Sequence, residues 1–176
     1  EKVNTMKDAI MFAKQVRYPV LIRPSYVLSG AAMSVCNSEE ELEMYIKKAT
    51  VLSSEHPIAL SKFFTNAKEI ELDGVAQDGK ILISAICEHV ENAGVHSGDA
   101  SIIFPPQRVY MLTEKRIMQA ARKLVKTLNI TGPFNMQFLG LSSDVFLIEM
   151  KARASRTYPF ISLATSTNFA RMIIDA

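Results

Sequence analysis

The chain has 176 residues, 48% hydrophobic and 22% charged, which is enough to build the core of about one domain. Its formal charge of +2 at pH 7 is close to balanced and no basic stripe with interleaved aromatics appears, so nothing marks a nucleic-acid partner. The longest apolar run, Ile81 to Cys87, is strand-length and broken by Ser84, and no membrane span is expected.

The first helix reads from Asn4 or Thr5 as cap through Met6, Ile10, Met11, Phe12 and Val16; Pro19 then ends helical possibilities and Val20-Leu21-Ile22 continues as a strand. A loop from Pro24 to Gly30 and a returning strand from Ala31 to Cys36 follow. Ser38 with Glu41 at the third position forms a capping box, opening an amphipathic helix with Leu42, Tyr45, Ile46 and Ala49 on one stripe. After His56-Pro57 come three strands, Ile58 to Phe64, Glu69 to Ala76 and Lys80 to Val90, the last two joined by an Asp78-Gly79 hairpin turn. The period then changes. Thr113 is expected to cap a helix that buries Ile117, Ala120, Ala121, Leu124 and Leu128 while exposing Lys115, Arg116, Arg122 and Lys123. A hairpin of Gly132 to Leu139 and Val145 to Arg156 turns at Ser142-Ser143-Asp144, and a short helix from about Asn168 closes the chain. Hairpin-connected strands with flanking helices predict an α+β fold with antiparallel sheet. Cys36 and Cys87 sit in predicted strands among apolar neighbours, which suits buried thiols and a reducing compartment.

Several polar groups stand out on this frame. Gln137 and Glu149 are symmetric about Ser143, so they are expected opposite each other, with Lys151 on the same face as Glu149. On the edge of a sheet these are an ordinary solvent-facing stripe; in a covered sheet the carboxylate needs a partner, such as a hard cation with phosphate oxygens. Arg23-Pro24-Ser25 leaves a strand for a Ser/Gly loop, either a surface turn or a cradle of N–H groups and a guanidinium for phosphate. Glu69, Glu71 and Asp73 alternate with Ile70 and Leu72, which predicts one wet face. Glu88, His89, Glu91 and His96 are metal-ligand types at a spacing that matches no zinc pattern. His96-Ser97-Gly98-Asp99 is too tight for a hydrolase triad, and no G-x-x-x-x-G-K-[ST] loop is present.

Asn135-Met136-Gln137, Ile148-Glu149, Arg153-Ala154-Ser155-Arg156 and Pro159-Phe160, together with Arg23 to Gly30 and Glu88 to Asp99, carry a family likeness. In these blocks, covering nearly the whole chain, it resembles the ATP-grasp domain of carbamoyl phosphate synthetase large chains. The Ala93-to-Gly98 wording is similar to the second, carbamate-phosphorylating half, and Ser29-Gly30-Ala31-Ala32 to animal-type enzymes.

The resemblance implies an ATP-grasp fold with a small α/β lid over residues 1–61 and a larger sheet subdomain over 62–176, ATP lying between them. It implies an ATP-dependent ligase of pyrimidine biosynthesis or the urea cycle that moves the γ-phosphoryl group of ATP to carbamate. The cofactors implied are ATP with Mg2+ or Mn2+, and the metal ligands implied are Gln137 and Glu149. Arg23, Arg153 and Arg156 are the implied catalytic cations. Lys62, Phe64, Glu69, Gly94, Val95, His96 and Ser97 complete the implied nucleotide pocket, with Glu69 on the ribose hydroxyls and backbone at Lys62 and Phe64 by the adenine.

The implied partners are the rest of a synthetase chain and a glutamine amidotransferase part, in the cytoplasm or, alternatively, the mitochondrial matrix. The family's arginine-bearing segment before the first helix is not in this sequence, which predicts an inactive fragment when isolated. One departure is chemical. Where the family pattern reads Glu-x-Asn, with the asparagine a metal ligand, this chain has Glu149-Met150-Lys151, and a protonated lysine has no acceptor. Lys151 either turns away or replaces a metal. Leu163 and Ser166 also depart from the family's lysine and glycine. The rival reading is therefore a degenerate, catalytically silent nucleotide-binding or interaction module.

Overall fold

The structure is a computed structural model that describes residues 2–24, 33–52, 58–95 and 99–176. The chain divides into two compact units, Glu1–Thr65 and Asn66–Ala176. No helix among the described residues is long and apolar enough to cross a membrane.

In the first unit the elements are β1 (Lys2–Val3), α1 (Met6–Val16), β2 (Val20–Pro24), β3 (Ser34–Cys36), α2 (Glu39–Leu52) and β4 (Ile58–Lys62). The strands form an antiparallel sheet in the order β1-β4-β2-β3. Thr5 is the cap of α1, its hydroxyl accepting from Asp8 N–H at 3.1 Å. Ser38 accepts from Glu41 N–H at 3.3 Å, and Glu41 reaches back to Asn37 N–H at 2.8 Å, so the predicted capping box closes one residue further upstream. Ala9 and Ala13 of α1 and Leu42 and Ile46 of α2 meet Val20, Ile22 and Leu60 in one core. The strand expected over 58–64 ends at Lys62 and joins this sheet. Most of the loop and part of the strand expected over 24–36 lie outside the described residues.

The second unit contains β5 (Lys68–Gln77), β6 (Lys80–Asn92), β7 (Ile102–Ile103), α3 (Met111–Thr127), β8 (Gly132–Leu141), β9 (Asp144–Lys151), α4 (Tyr158–Ala164) and α5 (Phe169–Asp175). Its antiparallel sheet has the order β7-β6-β5-β8-β9, which makes β5 the middle strand and β9 an edge. Ile70, Leu72, Phe134, Met136 and Phe138 point one way and pack with Ile117, Ala121 and Val125 of α3. On the opposite face Val75, Ala85 and Cys87 pack with Tyr158, Ile161 and Phe169.

Three expectations are corrected here. The third helix starts two residues before Thr113, with Tyr110 as cap, and Thr113 instead lies buried with its hydroxyl on Ser142 O at 3.4 Å. Its buried stripe is the strict i+4 row Ile117, Ala121 and Val125, which leaves Leu128 56% exposed at the helix end. The last hairpin turns through Ser142 and Ser143 alone, since Leu141 faces Asp144 and Phe138 faces Leu147. A bulge then intervenes at Ile148 and restores Gln137 opposite Glu149. Without that extra residue Gln137 would face Ile148, and the acid would fall on the other side of the sheet.

Candidate functional site

The candidate functional face of the second sheet is built by alternation. Glu69, Glu71 and Asp73 project from β5, Asn135 and Gln137 from β8, His89 from β6, and Glu149 and Lys151 from β9. Register sets Gln137 between Glu71 on one side and Glu149 on the other. Gln137 Nε2 donates to Glu71 Oε1 at 2.9 Å, and Lys151 Nζ lies 2.7 Å from Glu149 Oε1. Asn135 Nδ2 donates to Asp73 Oδ1 at 2.9 Å, while Thr157 Oγ1 donates to Asp73 Oδ2.

The expected wet face of β5 is corrected by these contacts. Glu69, Glu71 and Asp73 are all buried, because β5 has a strand on each side and Asp73 lies beneath Thr157. Burial raises the Glu69 carboxyl; the His89 charge opposes that shift and Glu71 adds to it. Burial likewise raises Asp73, against the hydrogen bonds from Thr157, Ser155 and Asn135. His89 is fully buried, with Nδ1 4.0 Å from Glu69 Oε2 and Nε2 3.4 Å from Glu71 Oε1, the latter not aligned as a hydrogen bond. Burial works against a charged imidazole, but the facing carboxylates outweigh it and hold the His89 pKa above its ordinary value. Beside them burial pushes the Cys87 thiol up to about 12, and both cysteines are free and buried as expected.

Of the residues singled out in the sequence, Glu69, Gln137 and Glu149 share this face. Arg23 is exposed on β2, and Lys62 at the end of β4 donates to Arg17 O at 2.8 Å and Tyr18 O at 3.0 Å, both within the first unit. Phe64 is half-buried just after β4. Gly94 and Val95 follow β6, with Gly94 at a φ of 114° that favours glycine. His96 and Ser97 lie outside the described residues. Arg153 and Arg156 are exposed beyond β9, and Arg153 Nη1 donates to Ala154 O at 3.1 Å.

The mixed Glu88, His89 and Glu91 set does not converge. Glu88 Oε2 accepts from Gln107 and Arg108 N–H at 2.9 and 2.7 Å, and Glu91 Oε2 accepts from Ser101 N–H at 2.9 Å. Sequence reasoning gave His89 only as a metal-ligand type and Asn135 only as part of a family block, and it missed Thr157 and the burial of Glu69, Glu71 and Asp73. The Glu-x-Glu-x-Asp row carried no signal for that burial, which follows from β5 having a strand on each side.

The two-unit α+β architecture is the ATP-grasp fold. The biotin carboxylase domain of a thermophilic 2-oxoglutarate carboxylase matches with a TM-score of 0.80 at 19% identity, over 99% of this chain and 39% of that one. Residues 1–175 match the family model described as carbamoyl-phosphate synthase L chain, ATP binding domain, and the chain belongs to that family. It is 49% identical over 176 residues to the multifunctional protein pyr-3 of Neurospora crassa, covering all of this chain and 10% of that protein. It is 48% identical over 167 residues to the mitochondrial carbamoyl-phosphate synthase [ammonia] of Homo sapiens, covering 95% of this chain and 11% of that protein. The chain thus spans about a tenth of the length of these relatives.

The donor set decides whether a divalent ion fits between Gln137 and Glu149. Glu149 Oε1 is already met by Lys151 Nζ at 2.7 Å, and the lysine at the third position offers no lone pair. A divalent ion and an ammonium about 4 Å apart repel by about 8 kcal/mol at an effective dielectric near 20. The residues present do not fit the ion that the family implies.

Proposed function

We propose that this chain binds ATP as the nucleotide domain of a carbamoyl phosphate synthetase, in the half that phosphorylates carbamate. The match of residues 1–175 to the ATP-binding family carries this reading. In it, residues 1–61 are the lid and residues 62–176 the sheet subdomain. Glu69 holds the ribose hydroxyls, backbone at Lys62 and Phe64 borders the adenine, and Gly94, Val95, His96 and Ser97 line the nucleotide. Arg23, Arg153 and Arg156 meet phosphate and carbamate charge, supplying the electrostatic stabilisation on which phosphoryl transfer depends.

In the reaction a carbamate oxygen attacks the γ-phosphorus, the bond to the leaving ADP oxygen breaks, and carbamoyl phosphate forms. The remaining synthetase chain and a glutamine amidotransferase part are the proposed partners, in the cytoplasm or, alternatively, the mitochondrial matrix. Running transfer backwards with the chain joined to the rest of its synthetase tests the assignment without handling unstable carbamate. Formation of ATP from ADP and carbamoyl phosphate is the expected result for an active domain; binding of ATP without that reaction leaves only the nucleotide-binding part.

A second reading is favoured by one observation. The Lys151–Glu149 ion pair stands where the family uses a metal ligand, which supports a nucleotide-binding module that is catalytically silent. Absence of ATP formation together with clear ATP binding is the result this reading expects.

A further inference from the structure

We propose that the Lys151 ammonium takes the place of a divalent cation in this chain, so that the site accepts a nucleoside triphosphate free of metal. The inference rests on the nucleotide-binding reading above and specifies the ionic form of its ligand.

The placement of Lys151 is a consequence of register. The bulge at Ile148 puts Glu149 opposite Gln137, and the next alternation brings Lys151 onto the same face, opposite Asn135. That face is acidic: Glu69 and Glu71 are buried there, and Asp73 lies beyond them on the same strand. A polyphosphate approaching it needs positive charge between its oxygens and those carboxylates. His89 lies beside Glu69 and Glu71 on the neighbouring strand, while Lys151 enters from the edge strand, half-buried and paired with Glu149 at 2.7 Å. Glu149 is itself half-exposed, so the pair can be approached by a ligand.

Lysine and a divalent ion both bridge a carboxylate to phosphate oxygens, but they differ in what they require. The ion needs several oxygen donors around it, whereas an ammonium has three N–H donors on a flexible stem. Glu149 takes one of these, leaving the others to face a phosphate. Because the two cations repel at this distance, occupancy by one excludes the other. Gln137, held by its hydrogen bond to Glu71, then completes an ordinary polar wall.

Calorimetric titration of ATP in excess magnesium and in excess EDTA tests this in the wild type, Lys151→Asn and Lys151→Arg. Wild type and Lys151→Arg are expected to bind ATP in EDTA within about threefold of their affinity in magnesium, and Lys151→Asn to become at least about tenfold weaker in EDTA than in magnesium. Circular dichroism confirms that each variant is folded. Wild-type binding that needs magnesium, or the same magnesium dependence in wild type and Lys151→Asn, overturns the inference and leaves the nucleotide reading standing. No ATP binding in either condition overturns both.

Discussion

The two faces of the second sheet are made by the same strands and obey different rules. Toward α3, β5 and β8 present Ile70, Leu72, Phe134, Met136 and Phe138, whose burial is favourable residue by residue. Toward the other side the residues between them are Glu69, Glu71, Asp73, Asn135 and Gln137, also buried. Those groups gain nothing from leaving water and are tolerable only because each finds a partner. A row of this kind costs stability that an apolar row would not, so its presence points to binding. The contrast divides the strands into a scaffold face and a proposed ligand face, and substitutions on the two should separate stability from affinity.

The largest expected effect is on the scaffold face. Phe134 is fully buried, and its ring fills the space above Gly74, where an added Cβ would stand 2.5 Å from Phe134 Cζ. Phe134→Ala should cost about 3 to 5 kcal/mol of unfolding free energy, because transfer and cavity terms add. Urea denaturation measures it. A loss under about 1 kcal/mol would mean that the core closes over the missing ring and the scaffold face is less tightly built than its burial implies.

On the ligand face the same contrast predicts affinity loss without collapse. Glu69→Gln should weaken ATP binding by about 1 to 3 kcal/mol if the carboxylate accepts charged hydrogen bonds from the ribose. Removing a charge that burial already disfavours should leave the unfolding midpoint unchanged or higher. Unchanged affinity with an intact fold would return Glu69 to a structural role beside His89.

The alternation of Glu69 to Asp73 with Ile70 and Leu72 correctly gave two faces, but alternation cannot distinguish a wet face from a buried one. That distinction depends on β5 being the middle strand, a long-range fact. The Gln137–Glu149 pairing came out right through compensating errors, a three-residue turn being expected where a two-residue turn and a bulge exist. The helix α4 was missed because Tyr158–Ala164 is seven residues long with Pro159 at its start, too short for a periodic signal. Family likeness implied Gln137 and Glu149 as a metal pair, and only the structure reveals that Lys151 and Glu149 already hold each other.

A pH prediction sharpens the contrast further. Asp73 lies on the ligand face next to the apolar cluster of Val75 and Tyr158, and burial raises its pKa above the ordinary 3.8. A carboxyl raised on folding holds its proton more tightly in the folded state, so its stabilising contribution is complete below 3.8 and is lost as pH rises through the folded value. Asp73→Asn should therefore remove part of the decline in stability between acid and neutral pH. The substituted amide can still accept from Asn135 and donate to Thr157, which in turn can donate to Ser155. Urea midpoints across that range test it: a variant less stable at pH 7 with an unchanged slope would show that the ionised Asp73 is favoured by its hydrogen bonds.

The smallest stability effect is expected where the binding argument is strongest. Glu149 and Lys151 have side chains 46% and 28% exposed on an edge strand, so water screens much of their attraction. Glu149→Gln should change unfolding free energy by less than about 1 kcal/mol, in line with exposed ion pairs generally. The same change releases the Lys151 ammonium beside an incoming polyphosphate and removes a negative charge from its path, so ATP binding in EDTA should strengthen by about threefold or more. Measuring stability and affinity on one preparation separates the two effects. A large stability loss would make the pair part of the scaffold, whereas a small one with altered ATP affinity would place the edge strand on the ligand face, where charge is arranged for a guest.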